Sequence, residues 1–322
     1  MKKEKALLSI LADREWHSGE DLARILGVSR TAVWKQLNRL MDDGVSVERV
    51  RGKGYRLTGT VDLLDGRAIL EGLPPGMRSA IQLDVFDVID STNAYLMQQP
   101  DHADRAVRVC VADRQEQGRG RRGRAWSSPA GENVYLSLGL RLRGGFAALE
   151  GLSLVVGVAV VRALDKLGLG QARLKWPNDV LVDARKLAGI LIELQGELEG
   201  AARVIVGIGI NVHMSDSEQL VDQPWISLDR AEPDVRWTRN NVITAVVEEA
   251  LTLLETFERD GFEALREQWQ ALDALYGQPL RTEPDGDEGI GAGIDSGGAY
   301  RLETPGGVKV LRAGEISVRR QV

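Results

Sequence analysis

The chain has one cysteine, Cys110, and three histidines, His17, His102 and His213, in 322 residues. A single thiol excludes an intrachain disulfide. It lies in the strand-like apolar run 107–112, where an inert core thiol fits better than a nucleophile. The scattered histidines exclude a zinc cluster. There is no Gly-x-Ser-x-Gly elbow and no convincing nucleophile–base pair, so covalent acyl-enzyme chemistry has no sequence support. The basic N-terminal residues are followed by Glu4 and a short amphipathic pattern, not by the apolar core of a signal peptide. The most apolar stretch, 149–169, is interrupted by Arg162, Asp165 and Lys166 and reads as a buried helix, not a membrane span. The expectation is a cytoplasmic protein without a membrane partner.

What remains is an ordinary globular composition, 43% apolar and 27% charged, long enough for two or three domains. The net charge of −6 conceals an asymmetry. Residues 1–60 hold 12 Lys/Arg against 8 Asp/Glu, whereas the whole chain holds 41 against 47. A basic N-terminal module on an acidic body suggests that the module meets a polyanion.

In that module Ala6, Leu7, Ile10 and Leu11 repeat at helical spacing. Ser18 and Asp21 fit a capping box ahead of Leu22, Ile25 and Leu26. Gly27 ends this second helix and Ser29 caps a third. There Val33, Leu37, Leu40 and Met41 form the apolar stripe, leaving Arg30, Thr31, Trp34, Lys35 and Asn38 outside. Strands at 45–50 and 55–57, joined by the basic turn 51–54, complete a winged helix-turn-helix. Ser29, Arg30, Thr31 and Lys35 on the helix, with Arg49, Arg51 and Lys53 on the wing, are the candidate DNA contacts. A helical protein-interaction module with a solvated hairpin is the competing reading. Trp34 fits a protein contact, a cover for the wing, or an approach to a base.

The body is organised around residues 118–126: Gly118, Arg119, Gly120, Arg121, Arg122, Gly123, Arg124, Ala125 and Trp126. Guanidinium groups are costly to desolvate unpaired, and glycines leave backbone N–H groups free to approach an anion. A loop awaiting a phosphate or carboxylate and a solvated polyanion patch are both consistent with this. The glycine spacing imitates a dinucleotide fingerprint, but the next segment, 133–142, alternates as a strand, so no helix N-terminus receives a pyrophosphate. Nor is it a Walker loop, because Arg124 and Ala125 replace Lys-Ser/Thr.

Elsewhere, a helical segment at 63–73 precedes a strand at 81–88. Asp90, Ser91, Thr92 and Asn93 then open a helix, either as an N-cap or as hydrogen-bonding groups for a polar ligand. Lys175, Trp176, Pro177, Asn178 and Asp179 precede a hairpin, 180–182 and 186–193, turning at 183–185. Asp179 is a candidate Mg2+ ligand or a turn residue. Lys175 and Lys186 are point charges for phosphate or carboxylate, or surface decoration. Glycines in the strand 204–211 suggest that something approaches the backbone closely.

These motifs together, in this order, resemble the bifunctional biotin protein ligases that also repress the biotin operon. The resemblance spans nearly the whole chain, including Gly314, Glu315, Ile316 and Ser317. It implies an α+β chain of three domains: a winged helix-turn-helix (1–60), a mixed-sheet ligase domain (61–273) and a small SH3-like β-barrel (274–322). It implies that biotin and ATP give biotinyl-5′-AMP with Mg2+, and that biotin then passes to a lysine of biotin carboxyl carrier protein. By analogy Lys186, Arg121 and Arg119 are catalytic, and Asp179 holds the metal. Ser91, Thr92, Asn93, Gln115, Gly118, Arg119, Gly120, Arg121, Lys186 and Gly189 bind biotin. Arg119, Arg121, Arg124, Trp126, Lys175, Asn178, Lys186 and Asn211 bind ATP or the adenylate. Glu315 and Arg319 occupy places associated with the ligand site. A ligand-promoted homodimer is expected to bind a palindromic operator.

The C-terminal barrel is expected from short runs at 279–282, 299–302, 308–311 and 316–318, with 285–298 a long Gly/Asp-rich loop. Two other functions compete: a transcription factor that only senses a small ligand, and a lipoate or octanoate ligase. The lysines, Asp179 and the arginine loop speak against the first, the arginine loop and DNA-binding module against the second.

Overall fold

The computed structural model describes residues 2–42, 45, 47–58, 62–100, 107–142, 149, 151–195, 202–214, 223–312 and 317–320. The chain divides into two compact units, Met1–Leu63 and Leu64–Val322. Residues 60 and 61, at the boundary expected between the first two domains, lie outside the described residues, as do His102 and Glu315.

The first unit holds α1 (Lys2–Leu11), α2 (Gly19–Leu26) and α3 (Arg30–Asp42), then β1 (Val47–Val50) antiparallel to β2 (Gly54–Leu57). Ser18 Oγ accepts from the Asp21 N–H at 3.0 Å, and Gly27 closes α2 at φ 64°. Leu7, Leu11, Leu22, Val33, Leu37, Leu40 and Leu57 form its core. Burying each such side chain contributes roughly 1.5–3 kcal/mol. His17 and Tyr55 exchange backbone hydrogen bonds of 2.9 Å, an isolated antiparallel bridge beside the two-stranded wing. A Cβ on Gly54, at φ 106°, would lie 2.0 Å from His17 O, so that contact requires glycine.

The second unit begins with α4 (Gly66–Gly72), α5 (Pro75–Arg78), β3 (Ile81–Ile89), α6 (Thr92–Gln98), β4 (Val107–Gln115), β5 (Asn133–Leu142) and α7 (Leu152–Lys166). It continues with β6 (Arg173–Lys175), β7 (Asp179–Val182), β8 (Arg185–Gln195) and β9 (Ala202–Asn211). These strands form one mixed sheet in the order β3-β4-β5-β9-β8-β7-β6, parallel only between β3 and β4. Asp183 and Ala184, both at positive φ, turn β7 into β8.

Strand alternation decides where the site lies. Val109, Val111, Val134, Leu136, Leu138, Val206, Ile208, Ile210, Ala188 and Ile190 join α7 in the main core. The intervening residues Cys110, Ser137, Gly207, Gly209 and Gly189 face the other way, where Leu96 of α6 packs on Cys110 and Ile205. Register pairs Gly189 with Gly209 and Ser137 with Gly207, so that face has a patch without large side chains.

Three helices follow that sequence reasoning omitted: α8 (Leu228–Ala231), α9 (Arg239–Asp260) and α10 (Glu263–Ala271). Val242, Ile243, Val246, Val247, Ala250, Leu253, Leu254 and Phe257 give α9 a regular buried stripe, and Thr238 Oγ1 caps it by accepting from Asn241 N–H. Fully buried Arg239 pairs with Asp113 of β4 at 2.8 Å.

The C-terminal segment corrects two expectations. The Gly/Asp-rich stretch 285–298 contains a strand, giving β10 (Pro279–Glu283), β11 (Glu288–Ile294), β12 (Tyr300–Thr304), β13 (Gly307–Leu311) and β14 (Ser317–Arg320). Their order is β13-β12-β11-β10-β14, all antiparallel, and among the described residues the edge strands β13 and β14 do not pair. Among the described residues the segment is therefore a five-stranded antiparallel sheet in which no closure into the expected barrel is found. Its inner residues Leu280, Ile294, Tyr300, Leu302 and Leu311 share the core of the second unit. The Trp176 indole N–H donates to Gly298 O at 3.0 Å, and its ring lies 5.8 Å from that of Tyr300.

Candidate active site

Residues 118–126 fold into a small hairpin. Trp126 N–H donates to Gly118 O at 2.9 Å and Gly120 N–H to Arg124 O at 2.7 Å, with a 3-10 turn (Arg121–Gly123) at the tip. Gly118 is buried, and a Cβ there would lie 2.5 Å from Trp126 O. Arg119, Arg122 and Arg124 are exposed, whereas Arg121 folds inward and donates to Asn178 Oδ1 at 3.0 Å. Burial lowers the Arg121 pKa, with the neighbouring Arg122 acting in the same direction. Even so it stays a cation at neutral pH.

Behind the hairpin, Trp126 lies across the glycine patch. A Cβ on Gly209 would stand 2.5 Å from its Cε2, and one on Gly189 2.9 Å from its Cζ3. Lys186 Nζ sits 5.3 Å from the Trp126 ring and 2.8 Å from Asp179 Oδ1. Both charged side chains are largely buried, at 16% and 15% exposure, so this pair is far less screened than a surface pair. The backbone of Lys186 is clamped: its N–H donates to Pro224 O at 2.9 Å and its O accepts from Ile226 N–H at 3.0 Å. Asn211 Nδ2 donates to Ile226 O at 3.1 Å and to Lys186 O at 3.4 Å. Lys175 and Asp179 face one another across the β6–β7 register, and Asn178 Nδ2 donates to Ile190 O at 2.8 Å.

A buried polar line runs beside this centre. Thr92 N–H donates to Gln115 Oε1 at 2.9 Å, with Thr92 Oγ1 3.1 Å from the same oxygen, and Gln115 Nε2 donates to Ser128 Oγ at 3.2 Å. Ser128 Oγ–H continues to Trp126 O at 3.0 Å. On the other side Ser137 Oγ lies 2.7 Å from Thr92 Oγ1 and donates to Asn93 Oδ1 at 2.6 Å. Asn93 Nδ2 donates to Glu193 Oε2 at 2.7 Å, and Arg119 reaches the same carboxylate oxygen at 3.3 Å. Ser91 Oγ caps α6 by accepting from Ala94 N–H. Sequence reasoning gave no roles to Ser128, Ser137 or Glu193. Small or acidic residues on an alternating strand or in a loop carry no signal until the partners are known.

The hairpin, the lysines, Asp179 and the 91–93 cluster are thus brought around one glycine-floored face. Mg2+ bound to a nucleotide needs only one or two protein carboxylates besides phosphate and water, so the Asp179 carboxylate alone is an oxygen donor of the right kind. Among the described residues no group of three His, Cys, Asp or Glu side chains could hold a metal without such help. Glu315 lies outside the described residues, as does the side chain of Arg319.

In the first unit Ser29 Oγ accepts from Ala32 N–H at 3.2 Å, which makes it the cap of α3. Arg30, Thr31, Trp34, Arg49, Arg51 and Lys53 line a cleft of about 460 Å³ between α3 and the wing. Lys35 is exposed on the same helix. Trp34 is 44% exposed and forms part of the cleft wall. Arg49 lies 5.8 Å from the Tyr55 ring and Lys53 5.7 Å from that of Trp16, so wing cations rest on aromatic faces.

Sequence profiles of the biotin/lipoate A/B protein ligase family and of an HTH domain match residues 85–211 and 3–56. The chain is 42% identical over 316 residues to the bifunctional ligase/repressor BirA of Escherichia coli K12, covering 97% of this chain and 96% of that protein. It is 33% identical to the BirA of Bacillus subtilis, covering 99% and 98%. The biotin protein ligase of Aquifex aeolicus, solved in complex with biotin and ATP, superposes with a TM-score of 0.65 at 28% identity, over 74% of this chain and 99% of that one. The chain belongs to the family of bifunctional biotin ligase/repressors.

Proposed function

We propose that the protein activates biotin with ATP, transfers it to a lysine of biotin carboxyl carrier protein, and represses biotin synthesis genes as a DNA-bound dimer. The observation that carries the ligase reading is the Lys186–Asp179 pair beside Trp126 and the arginine hairpin, all on one glycine-floored face. In the first step a carboxylate oxygen of biotin attacks the α-phosphorus, an O–P bond forms, and the bond to the β-phosphate breaks with release of pyrophosphate. Two anions must meet, so fixed cations are the main requirement. Lys186 serves the carboxylate and α-phosphate, while Arg119, Arg121, Arg124 and Lys175 serve the phosphates. Asp179 would hold Mg2+, which supplies charge neutralisation on the phosphates when bound.

In the second step the carrier lysine amine attacks the acyl carbon. An amide forms, and AMP and a proton leave. No protein nucleophile is used, so positioning and electrostatics carry the rate. The 118–126 hairpin, with Gly118 and Gly120 approaching the ligand closely, shields the anhydride from water. Ser91, Thr92, Asn93 and Gln115 form the biotin side, with Gly189 as floor. Their hydrogen bonds are spent inside the protein here, so the ligand's polar end exchanges with existing partners. Trp126, Asn178 and Asn211 form the adenylate side, Asn211 partly by holding the Lys186 backbone.

The repressor reading is supported by the basic cleft between α3 and the wing. Dimerisation is supported by β8: among the described residues its part beyond Ile190 has no neighbour on the β7 side, leaving a strand edge able to pair. Biotin-dependent pyrophosphate release with ATP and Mg2+ tests the ligase. Sedimentation with and without biotin plus ATP tests the dimer, and unchanged association would remove it.

A further inference from the structure

Glu193 is a carboxylate on the ligand-facing side of β8 with two partners from different parts of the site. Asn93 Nδ2 donates to its Oε2 at 2.7 Å, and Arg119 of the hairpin lies 3.3 Å from the same oxygen. A carboxylate accepts only, so, together with the longer 3.5 Å contact of Asn93 Nδ2 to Leu191 O, it turns the Asn93 NH2 toward β8 and its Oδ1 toward Ser137, the charged 2.7 Å bond being the stronger of the two. Ser137 is fully buried on β5 and then has one course for its proton, the 2.6 Å bond to Asn93 Oδ1. Its oxygen then accepts from Thr92 Oγ1–H across 2.7 Å, which leaves the Thr92 N–H as the donor to Gln115 Oε1, and the line goes on through Gln115 Nε2 and Ser128 to Trp126 O. Donor and acceptor roles along this line follow from the fixed charge at its end. Removal of that charge lets Asn93 flip, which turns Ser137 from donor to acceptor and re-sorts Thr92 and Gln115.

We propose that Glu193 is a positioning residue with two separable tasks, setting the polarity of the biotin-side hydrogen-bond line and holding Arg119 of the hairpin. This rests on the reading of the 91–93 and 118–126 segments as the biotin site. The first task needs only an acceptor beside Asn93, and the second needs the negative charge. Glutamine keeps an acceptor and loses the charge, whereas alanine loses both.

The test uses the full-length protein with biotin, ATP and Mg2+. It measures kcat and KM for biotin in adenylate formation, and the half-life of biotinyl-5′-AMP on the enzyme. Loss of a hydrogen bond to a charged group raises KM for biotin about tenfold or more in Glu193→Ala, with kcat changed less than about threefold. Glu193→Gln restores KM to within about threefold of the parent and still releases the adenylate faster, because Arg119 has lost its ion-pair partner. If Glu193→Ala does not fold, a parent-like KM with faster release in Glu193→Gln supports the assignment, and a raised KM in it overturns it. Parent-like values in both variants, or equal loss of biotin affinity in both, also overturn it. A parent protein that forms no adenylate at all would overturn the ligase reading instead, whatever the variants do.

Discussion

Lys186 Nζ and Asp179 Oδ1 stand 2.8 Å apart in a largely buried pair. Each is therefore the other's counter-ion until a ligand supplies anions of its own. Truncating a cation aimed at a developing charge costs about 10²–10³ in rate, so Lys186→Ala is expected to lose at least that much in adenylate formation. Lys186→Arg should not rescue it, because a planar guanidinium cannot occupy the place of an ammonium between Trp126 and Asp179. Quenched-flow measurement of pyrophosphate release checks both; an arginine variant with parent-like rate would remove Lys186 from the reacting centre.

Gly209 and Gly189 are open to a direct steric test. A methyl group on Gly209 would come within 2.5 Å of Trp126 Cε2, so Gly209→Ala must push the indole off the sheet. The expected result is a shifted tryptophan emission spectrum and a rise of about tenfold or more in KM for ATP, with the fold retained by circular dichroism. An unchanged spectrum would mean that the indole does not rest on this floor in solution.

Arg121 is the inward arginine of the hairpin, bonded to Asn178 at 3.0 Å. Arg121→Gly deletes that tie, and the shielded anhydride should then escape faster and modify lysines indiscriminately. Labelling of an unrelated protein such as serum albumin, with biotin and ATP present, reads this out. Retention equal to the parent would separate the hairpin from intermediate storage.

For the DNA-binding unit the expected signature is ionic. Lys53→Ala should weaken binding to all duplexes alike and reduce the slope of log K against log salt by about one. A titration of the full chain against duplex DNA at several salt concentrations decides it, and an unchanged slope excludes a phosphate contact for Lys53.

Cys110 is fully buried, and desolvation drives its thiol pKa upward, so the nucleophilic thiolate is scarce at neutral pH. Iodoacetamide should leave the native protein unlabelled and modify it once it is denatured, as mass spectrometry would record. Rapid labelling of the native protein would place the thiol outside the core.

Much of this was legible before any coordinates. The alternation of residues 133–142, the cap at Ser18 and the punctuation by Gly27 and Gly54 each express a local rule, and local rules survive in the fold. Residues 118–126 were legible as a ligand loop because their residue types are expensive to bury, but the hairpin that they form was not. α9 carries a regular apolar stripe but no chemical motif, so nothing in its residues points to the site. β11 was hidden by Gly289, Gly291 and Gly293, which imitate a loop. A Cβ on Gly291 would lie 2.2 Å from Leu275 O, so at that position the glycine permits close packing and does not mark a turn. Ser137 and Glu193 are significant only through partners 44 and 100 residues away along the chain. No spacing rule reaches that far.

The Trp176 indole, bonded to Gly298 O and resting against Tyr300, places the C-terminal sheet directly beneath the segment that bears Lys175, Asn178 and Asp179. Tyr300 in turn donates to Asp273 Oδ2 at 3.0 Å, closing the contact from the other side. An element that shares the core of its unit in this way is expected to have no melting transition of its own. Residues 64–322 should therefore lose structure in one cooperative step, and clipping away the last strands should disable the proposed phosphate side of the site before any proposed catalytic residue has been touched.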